Sequence, residues 1–481
     1  MNWAEYLFDF YIKDNVSDKK IILSDKAFIC NNKEFLNFIK SKGFSFNVSA
    51  SSKEFIKAVH SEVDIIICDY RNGKFSVSIA NSFSFPVIEM NYNNLPFNID
   101  AFLFESIDFN DLQILMNFSL HNPDIFIHEV NYKSILDSEI KKKNDENIKD
   151  YIKVFKGVIE NSKNLTYDDI LEIGIKWGDY IFTCYESGYT PDFTFLEKLD
   201  SIVLNFIITS GLKNIAFEPL KNFKSVERIS GYLSKNFNTK TALLCFDGMG
   251  VAEWFLLKKY LNDFSFIEKP VFSMIPSVTR ISRFAIYSGN IEEIYNSKSP
   301  NEEKAFKERF NNGVFLRNKN KITDDSILGF NFISKIYNIF DDTAHSTLVD
   351  SDNFSKNRYF KIIEEYLYGS GIKDEVKTLI KNGYKIFFCS DHGCTVSQGN
   401  GYRFEKYLID SFSKRGTIIK TNSFLNKGNY FIYNPGNGLD IKIVLAPPLK
   451  MFANMDTFEI THGGVGIEEI VIPFIEVEEK V

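Results

Sequence analysis

Histidine is scarce in this chain, six residues in 481, so the position of each one is informative. His60, His121 and His128 lie towards the N-terminus, and His345, His392 and His462 stand in the C-terminal half, each in a setting that suits a metal ion. His345 closes Asp341-Asp342-Thr343-Ala344-His345, and four residues make one helical turn, so Asp341 and His345 can face one cation. His392 follows Asp391 after the apolar run Ile386-Phe387-Phe388-Cys389, and His462 sits in Thr461-His462-Gly463-Gly464, whose glycines allow close backbone approach. Asp247 ends Leu243-Leu244-Cys245-Phe246 and precedes Gly248-Met249-Gly250. Thr279, in Pro276-Ser277-Val278-Thr279-Arg280, opens an apolar-periodic helix, where backbone amides favour an anion such as phosphate. Taken singly, a strand-end aspartate is most often a turn or cap residue and a lone threonine an ordinary cap. The ordered set of Asp, Thr, Asp-x-x-x-His, Asp-His and His is what points to a metal-dependent site.

The elements that must position these residues are strands and helices in alternation. Thr241–Phe246, Lys335–Phe340, Tyr384–Cys389, Tyr430–Tyr433, Ile441–Ala446 and Ile470–Val477 read as strands, with helices over Val251–Leu261 and Tyr359–Asn382. In a parallel sheet ligands gather beyond the carboxyl ends of the strands, so Asp247, Asp341, Asp391 and His392 are expected on one rim. This α/β domain, with a central mixed sheet flanked by helices, is expected over residues 239–481. Upstream, Ile170, Ile173, Trp177, Tyr180, Ile181 and Cys184 recur at helical spacing, which predicts a helical connector over 139–238. The mixed-charge segment Glu139 to Asp150 is the expected boundary. Residues 1–138 read as a small α/β domain: a strand at Lys20–Ser24, a helix from Asn32 to Lys42 ended by Gly43, and a buried strand at Asp64–Cys68.

Composition sets outer limits. Hydrophobic residues are 44% and charged residues 25% of the chain, which excludes wholesale disorder, a collagen-like fibre and a coiled-coil rod. With 56 basic and 63 acidic side chains the net charge is -7, so a histone-like binder is excluded and any nucleic-acid contact needs a local basic patch. Six cysteines, mostly in apolar runs and without a CxxC, read as small buried hydrophobes. No apolar run approaches membrane-spanning length and no secretory leader is evident, so no membrane association and a cytoplasmic location are expected.

The words around the candidate residues are Leu-Cys-Phe-Asp247-Gly-Met-Gly, Pro-Ser-Val-Thr279-Arg-Ile-Ser-Arg, Ile-Phe-Asp341-Asp-Thr-Ala-His345-Ser, Ser-Asp391-His392-Gly and Thr-His462-Gly-Gly-Val-Gly-Ile-Glu-Glu. In this order, over residues 239 to 480, they resemble the PglZ branch of the alkaline phosphatase superfamily. The resemblance implies an alkaline-phosphatase-like fold and two divalent metal ions, zinc first and manganese second. It assigns Asp341, His345 and His462 to one ion and Asp247, Thr279, Asp391 and His392 to the other. It implies a phosphodiesterase or phosphatase in which Thr279, activated by a cation, is the nucleophile. It further implies a phosphate-ester substrate, with a nucleotide or oligonucleotide in view, and a place in BREX-type phage defence with partner proteins. The rival class is a non-catalytic scaffold subunit that keeps the pocket as a structural element.

Several other features invite substrate contact. Arg280 and Arg283, one turn apart, can clamp phosphate oxygens or make salt bridges. The polar insertion from Asn290 to Leu328, with Lys304, Lys307, Arg309, Arg317, Lys319 and Lys321, can cap the site or remain a solvated loop. The loop from Ser397 to Tyr402 and Arg403 is a weaker candidate. In the N-terminal domain the spacing of Asp25 and Asp69 is similar to that of response-regulator receivers, but Glu105 stands where a lysine is expected, which favours the small N-terminal domain of PglZ proteins.

Overall fold

The computed structural model describes residues 2–13, 15, 20–27, 29–30, 32–70, 82–212, 219–236, 240–297, 300–349, 354–403, 413–420, 428–436 and 438–479. Residues 238 and 239, the expected junction of connector and catalytic domain, lie outside this set. The chain divides into two compact units, residues 1–143 and 144–481. The division falls inside one continuous helix, Tyr132–Glu160, so the mixed-charge segment is helical.

In the first unit, strands β1 (Ile21–Asp25), β2 (Phe46–Ser49), β3 (Ile65–Asp69) and β4 (Val87–Met90) form a parallel sheet in the order β2-β3-β1-β4. The receiver order is 2-1-3-4-5, so the spacing of Asp25 and Asp69 does not carry that topology with it. Asp25 accepts hydrogen bonds from the Ile29 and Cys30 amides, and Glu105 lies within the helix Ala101–Ser106.

The second unit is built on a six-stranded mixed sheet. Its first five strands in sequence are β5 (Thr241–Phe246), β6 (Phe264–Phe272), β7 (Gly313–Leu316), β8 (Phe332–Tyr337) and β9 (Lys385–Ser390). Strands β10 (Thr395–Gly399), β11 (Gly416–Lys420), β12 (Phe431–Tyr433), β13 (Ile441–Leu445), β14 (Lys450–Met451) and β15 (Phe458–Thr461) make two smaller sheets, and β16 (Val471–Glu479) returns to the large one. The large sheet runs β6-β16-β9-β5-β8-β7, with β9, β5, β8 and β7 mutually parallel and β16 antiparallel to both its neighbours. The carboxyl ends of β5, β6, β8 and β9 and the amino end of β16 therefore share one edge.

Burial on both faces explains the continuous apolar runs of the central strands. Ala242, Leu244, Phe246, Ile386 and Phe388 enter one hydrophobic core, and Leu243, Cys245, Phe387 and Cys389 enter the other. The first core also takes Ile170, Trp177, Leu199 and Val203, so the helices Tyr167–Ser187 and Phe193–Ser210 of the expected connector share a core with the sheet. The second core takes Ile281, Phe284 and Ala285 of the helix Thr279–Ser288 and Phe306 of the helix Glu302–Arg309. The single helix expected over Tyr359–Asn382 is two, Asn357–Gly369 and Ile372–Lys381, parted at Gly371, whose φ of 73° is left-handed. Among the described residues no helix is long and apolar enough to cross a membrane.

Candidate metal centre

Strands β5, β6, β8 and β9, and the approach to β16, each bring a candidate ligand to the shared edge, and β7 does not. Asp247 follows β5; Asp341 and His345 lie on the helix Ile339–Ser346 after β8; Asp391 and His392 follow β9. Thr279 begins the helix that follows β6, and His462 lies between β15 and β16. The expected strand Lys335–Phe340 stops at Tyr337, which lets Asp341 and His345 occupy successive turns of a helix. These turns are tied to one another: the Asp341 amide donates to the Asp247 carbonyl at 3.2 Å, and the Gly248 amide to Asp391 Oδ1 at 3.2 Å.

Three overlapping groups of donor atoms result, two of them made of carboxylates and imidazoles alone and the third joining Cys394 to Asp341 and His392. Asp341, His345 and His462 offer ligand atoms within 4.8 Å of one another, as do Asp247, Asp391 and His392. Thr279 Oγ1 lies 2.8 Å from His392 Nε2 at the edge of the second group. Asp391 turns Oδ1 to the Gly248 and His392 amides, and Asp247 turns Oδ2 to Arg283. Their other oxygens, Asp391 Oδ2 and Asp247 Oδ1, are buried without a hydrogen-bond partner among the described residues, and so is His462 Nε2. The separations of 3.6 Å from His392 Nε2 to Asp247 Oδ1 and from His462 Nε2 to Asp341 Oδ1 are too long for hydrogen bonds. They are close to the spacing of roughly 3.4 Å between atoms that share one tetrahedral cation through bonds of about 2.1 Å. Buried polar atoms without partners are costly, and a cation bound in each group would satisfy those that the group contains.

The imidazoles are set for coordination. His462 Nδ1 lies 3.0 Å from the Ser277 carbonyl and His392 Nδ1 3.2 Å from the Gly393 carbonyl, so each ring donates through Nδ1 and turns an Nε2 lone pair to the carboxylates. Burial keeps His392 below the usual imidazole range and, with His392 as neighbour, brings His462 down to about 3. Neutral imidazole is the form that binds metal. His345 moves up, because the hydrogen bond and charge of Asp341 outweigh its burial. Burial and the neighbouring Asp391 push Asp247 well above the carboxylate range against the pull of Arg283, and burial lifts Asp391 to about 6. Clustered carboxyls that resist ionisation in this way are stabilised by a cation.

The support beneath these ligands was not legible in the sequence. Glu469 accepts from the Gly464 and Gly466 amides at 2.8 Å each and from Arg415 Nε at 3.0 Å, which shapes the loop after His462. Asp200 accepts from the Ile467 amide at 2.8 Å. The Gly393 amide donates to the Glu469 carbonyl at 3.0 Å, and a Cβ at Gly393 would stand 2.0 Å from the Glu468 carbonyl oxygen. Buried Lys356 reaches Glu253, Glu468 and the Cys394 carbonyl, so the turn after His392 and the loop after His462 rest on one ionic network. Cys394, read from sequence as a buried hydrophobe, stands beside Asp341 and His392. Of the charged residues in this support, Glu469, Arg415, Asp200, Lys356, Glu253 and Glu468, only Glu468 and Glu469 lie within the sequence words given above.

The other candidates fall elsewhere. Arg280 is exposed and donates to the Ser297 carbonyl at 2.9 Å, while Arg283 is held between Asp247 and Glu302. The insertion between Asn290 and Leu328 is largely ordered structure, with the helices Ile291–Asn296 and Glu302–Arg309 and strand β7; its residues 298 and 299 lie outside the described set. Lys307 pairs with Glu303 and Lys304 with Glu308 on that helix. Ser397 belongs to β10 and accepts from Arg415, and Tyr402 packs against Tyr430 and Phe452, so this stretch is part of a small sheet and its packing.

Among solved structures, the murine ectonucleotide pyrophosphatase/phosphodiesterase 5 is similar at 14% identity, with a TM-score of 0.34, covering 50% of this chain and 88% of that one. An inactive variant of that murine protein in complex with AMP gives 13%, 0.34, 50% and 88%. The human ectonucleotide pyrophosphatase/phosphodiesterase 5 gives 13%, 0.32, 50% and 87%. No curated protein matches the chain. The family model described as the BREX system PglZ alkaline phosphatase-like domain matches residues 227–477, which hold every candidate ligand. That match covers more than half of the sequence, and the chain belongs to the PglZ family.

Proposed function

We propose that the chain is a metal-dependent phosphoric ester hydrolase with Thr279 as nucleophile. The observation that carries this reading is the meeting, on one sheet edge, of two carboxylate and imidazole groups whose buried atoms Asp247 Oδ1, Asp391 Oδ2 and His462 Nε2 lack protein partners, with the Thr279 hydroxyl beside them. Asp341, His345 and His462 would hold one ion; Asp247, Asp391, His392 and Thr279 would hold the other. Imidazole-rich donors favour zinc, with manganese the second choice where carboxylates dominate. When bound, two such ions supply Lewis-acid stabilisation of phosphoryl charge and lower the pKa of a nearby hydroxyl.

The residues then divide the work. Thr279, at a helix N-terminus that favours an anion, gives up its hydroxyl proton to solvent and directs Oγ1 at phosphorus; the Oγ1–P bond forms as the bond from phosphorus to the ester oxygen breaks, the departing oxygen takes up a proton from solvent, and water then displaces Oγ1 from the phosphothreonine, which releases the phosphoryl product and restores the hydroxyl. Asp391, held by two backbone amides, and His392 and His462, held by carbonyls, keep their orientations through the cycle. The description of the family as part of the BREX system is what a role in phage defence rests on; partner proteins, a cytoplasmic location and a nucleotide or oligonucleotide as the ester are proposed from the resemblance of the sequence motifs.

The test measures bound zinc and manganese, then hydrolysis of an aryl phosphodiester, an aryl phosphomonoester and a labelled oligonucleotide, for wild type, Thr279→Ala and Asp391→Ala. Wild-type turnover abolished in both variants is the expected result. Metal bound with equal, negligible turnover in all three would instead establish the scaffold class.

A further inference from the structure

Arg283 and Glu302 join the metal centre to a helix outside every motif. The Arg283 side chain, 15% exposed, donates through Nη1 to Asp247 Oδ2 and through Nε to Glu302 Oε1 at 2.7 Å. Glu302, 12% exposed, occupies the first turn of the helix Glu302–Arg309, whose N-cap Asn301 accepts from the Lys304 amide. Its second oxygen lies 3.7 Å from Arg317 Nη1. At the far end of the same helix, Arg309 Nη2 donates to the Ser288 carbonyl at 2.9 Å, where the Thr279–Ser288 helix ends. Between these ties the buried Phe306 ring meets Tyr287 edge-on, centroids 6.1 Å apart. The insertion helix is thus fixed along its length to the helix that carries Thr279.

We infer that Glu302 and Arg283 are positioning residues for the metal centre: Glu302 fixes the guanidinium, which takes Asp247 Oδ2 and leaves Oδ1 as the single oxygen turned to the ion. A carboxylate free to rotate or to chelate through both oxygens would offer two geometries; the Arg283 fork permits one. Arg283 then acts through Asp247, and the phosphate-clamp role expected from its spacing is not needed to account for its place. This inference rests on the proposed metal reading.

The experiment titrates Zn2+ alone into metal-free wild type, Glu302→Gln, Arg283→Lys and Arg283→Met by competition with a chromogenic chelator, with circular dichroism as a check on folding. The zinc-loaded proteins are then compared for inhibition by inorganic phosphate. One of two bound zinc ions is expected to weaken by about tenfold or more in Glu302→Gln and Arg283→Met, the range for lost outer-shell partners, while the other keeps its affinity. Arg283→Lys should fall between, since a lysine keeps the charge but not the fork. Zinc affinities within twofold of wild type in all variants, with phosphate inhibition weakened in the Arg283 variants, would overturn the inference and make Arg283 a substrate clamp. A wild type that binds no zinc would remove the metal reading itself, which is a separate result.

Discussion

The rings of His392 and His462 lie face to face, centroids 3.9 Å apart and planes 13° from parallel. Two imidazolium cations would repel at that distance, and with each Nδ1 turned to a backbone carbonyl both rings present neutral Nε2 donors. The stack places one donor in each ligand group, so the two groups share a wall.

Chelation should therefore destabilise the fold as well as stop turnover. A ligand present at a thousand times its dissociation constant adds about 4 kcal/mol to the stability of the folded state. Differential scanning calorimetry with and without EDTA should show a lower Tm in EDTA, and a smaller loss in Thr279→Ala, which lacks one ligand of the second ion but keeps the carboxylates and imidazoles. An unchanged Tm after metal analysis has shown the ions removed would contradict this.

Gly393→Ala tests the tightness of the turn after His392. The added methyl would meet the Glu468 carbonyl oxygen at 2.0 Å, and relief requires the loop after His462 to move. A loss of ~3 kcal/mol in urea unfolding is expected, at the upper end for overpacking. Gly157→Ala, inside the Tyr132–Glu160 helix with nothing within 4 Å of the new Cβ, serves as the control and should gain up to ~1 kcal/mol.

Glu469→Gln should cost ~3 kcal/mol, because it leaves Arg415 buried without its carboxylate and sets an amide group against a backbone N–H. Replacing both partners, Arg415→Met with Glu469→Met, should recover part of the stability without recovering zinc affinity at the His462 group. Denaturation and zinc titration on the same samples read both quantities; full recovery of zinc binding in the double variant would show that Glu469 does not orient His462.

Asp200 predicts a pH effect away from the ligands. Burial pushes its carboxyl up to about 7, against the pull of Arg415, while an unfolded aspartate titrates near 3.9. Between these values the folded chain binds the extra proton, so this residue's contribution to stability falls as pH rises from about 4 to 7 and is level above. Asp200→Asn should remove that slope, and its Tm relative to wild type should climb by roughly a few degrees between pH 5 and 7.5. Parallel Tm curves would refute it.

What the sequence disclosed and what it withheld follow from the range of each interaction. Asp247, Asp391 and His392 were legible because apolar runs mark strands and ligands collect at strand ends, and Asp341 with His345 because one helical turn is a local spacing. The overrun of the strand at Lys335 into Phe340 came from the same apolar signal: Ile339 and Phe340 are buried in a helix as fully as a strand would bury them. Strand β6 was missed because its middle, with Glu268 and Lys269, is not apolar; its pairing with β16 defines it. Arg415, Asp200 and Glu302 carry no local pattern at all. Each acquires its role from a partner far along the chain, Glu469, Ile467 and Arg283 respectively, and only the folded sheet edge brings them together.

The bond from Gly393 to Glu469 has a further consequence on the proposed ligand assignment. The turn holding His392 and the loop holding His462 are laced too closely to admit a methyl group, so neither can swing aside alone. A displacement of either segment should consequently be passed to the other, so hydrogen exchange at the Gly393 amide should quicken when the loop after His462 is loosened, as in Glu469→Gln.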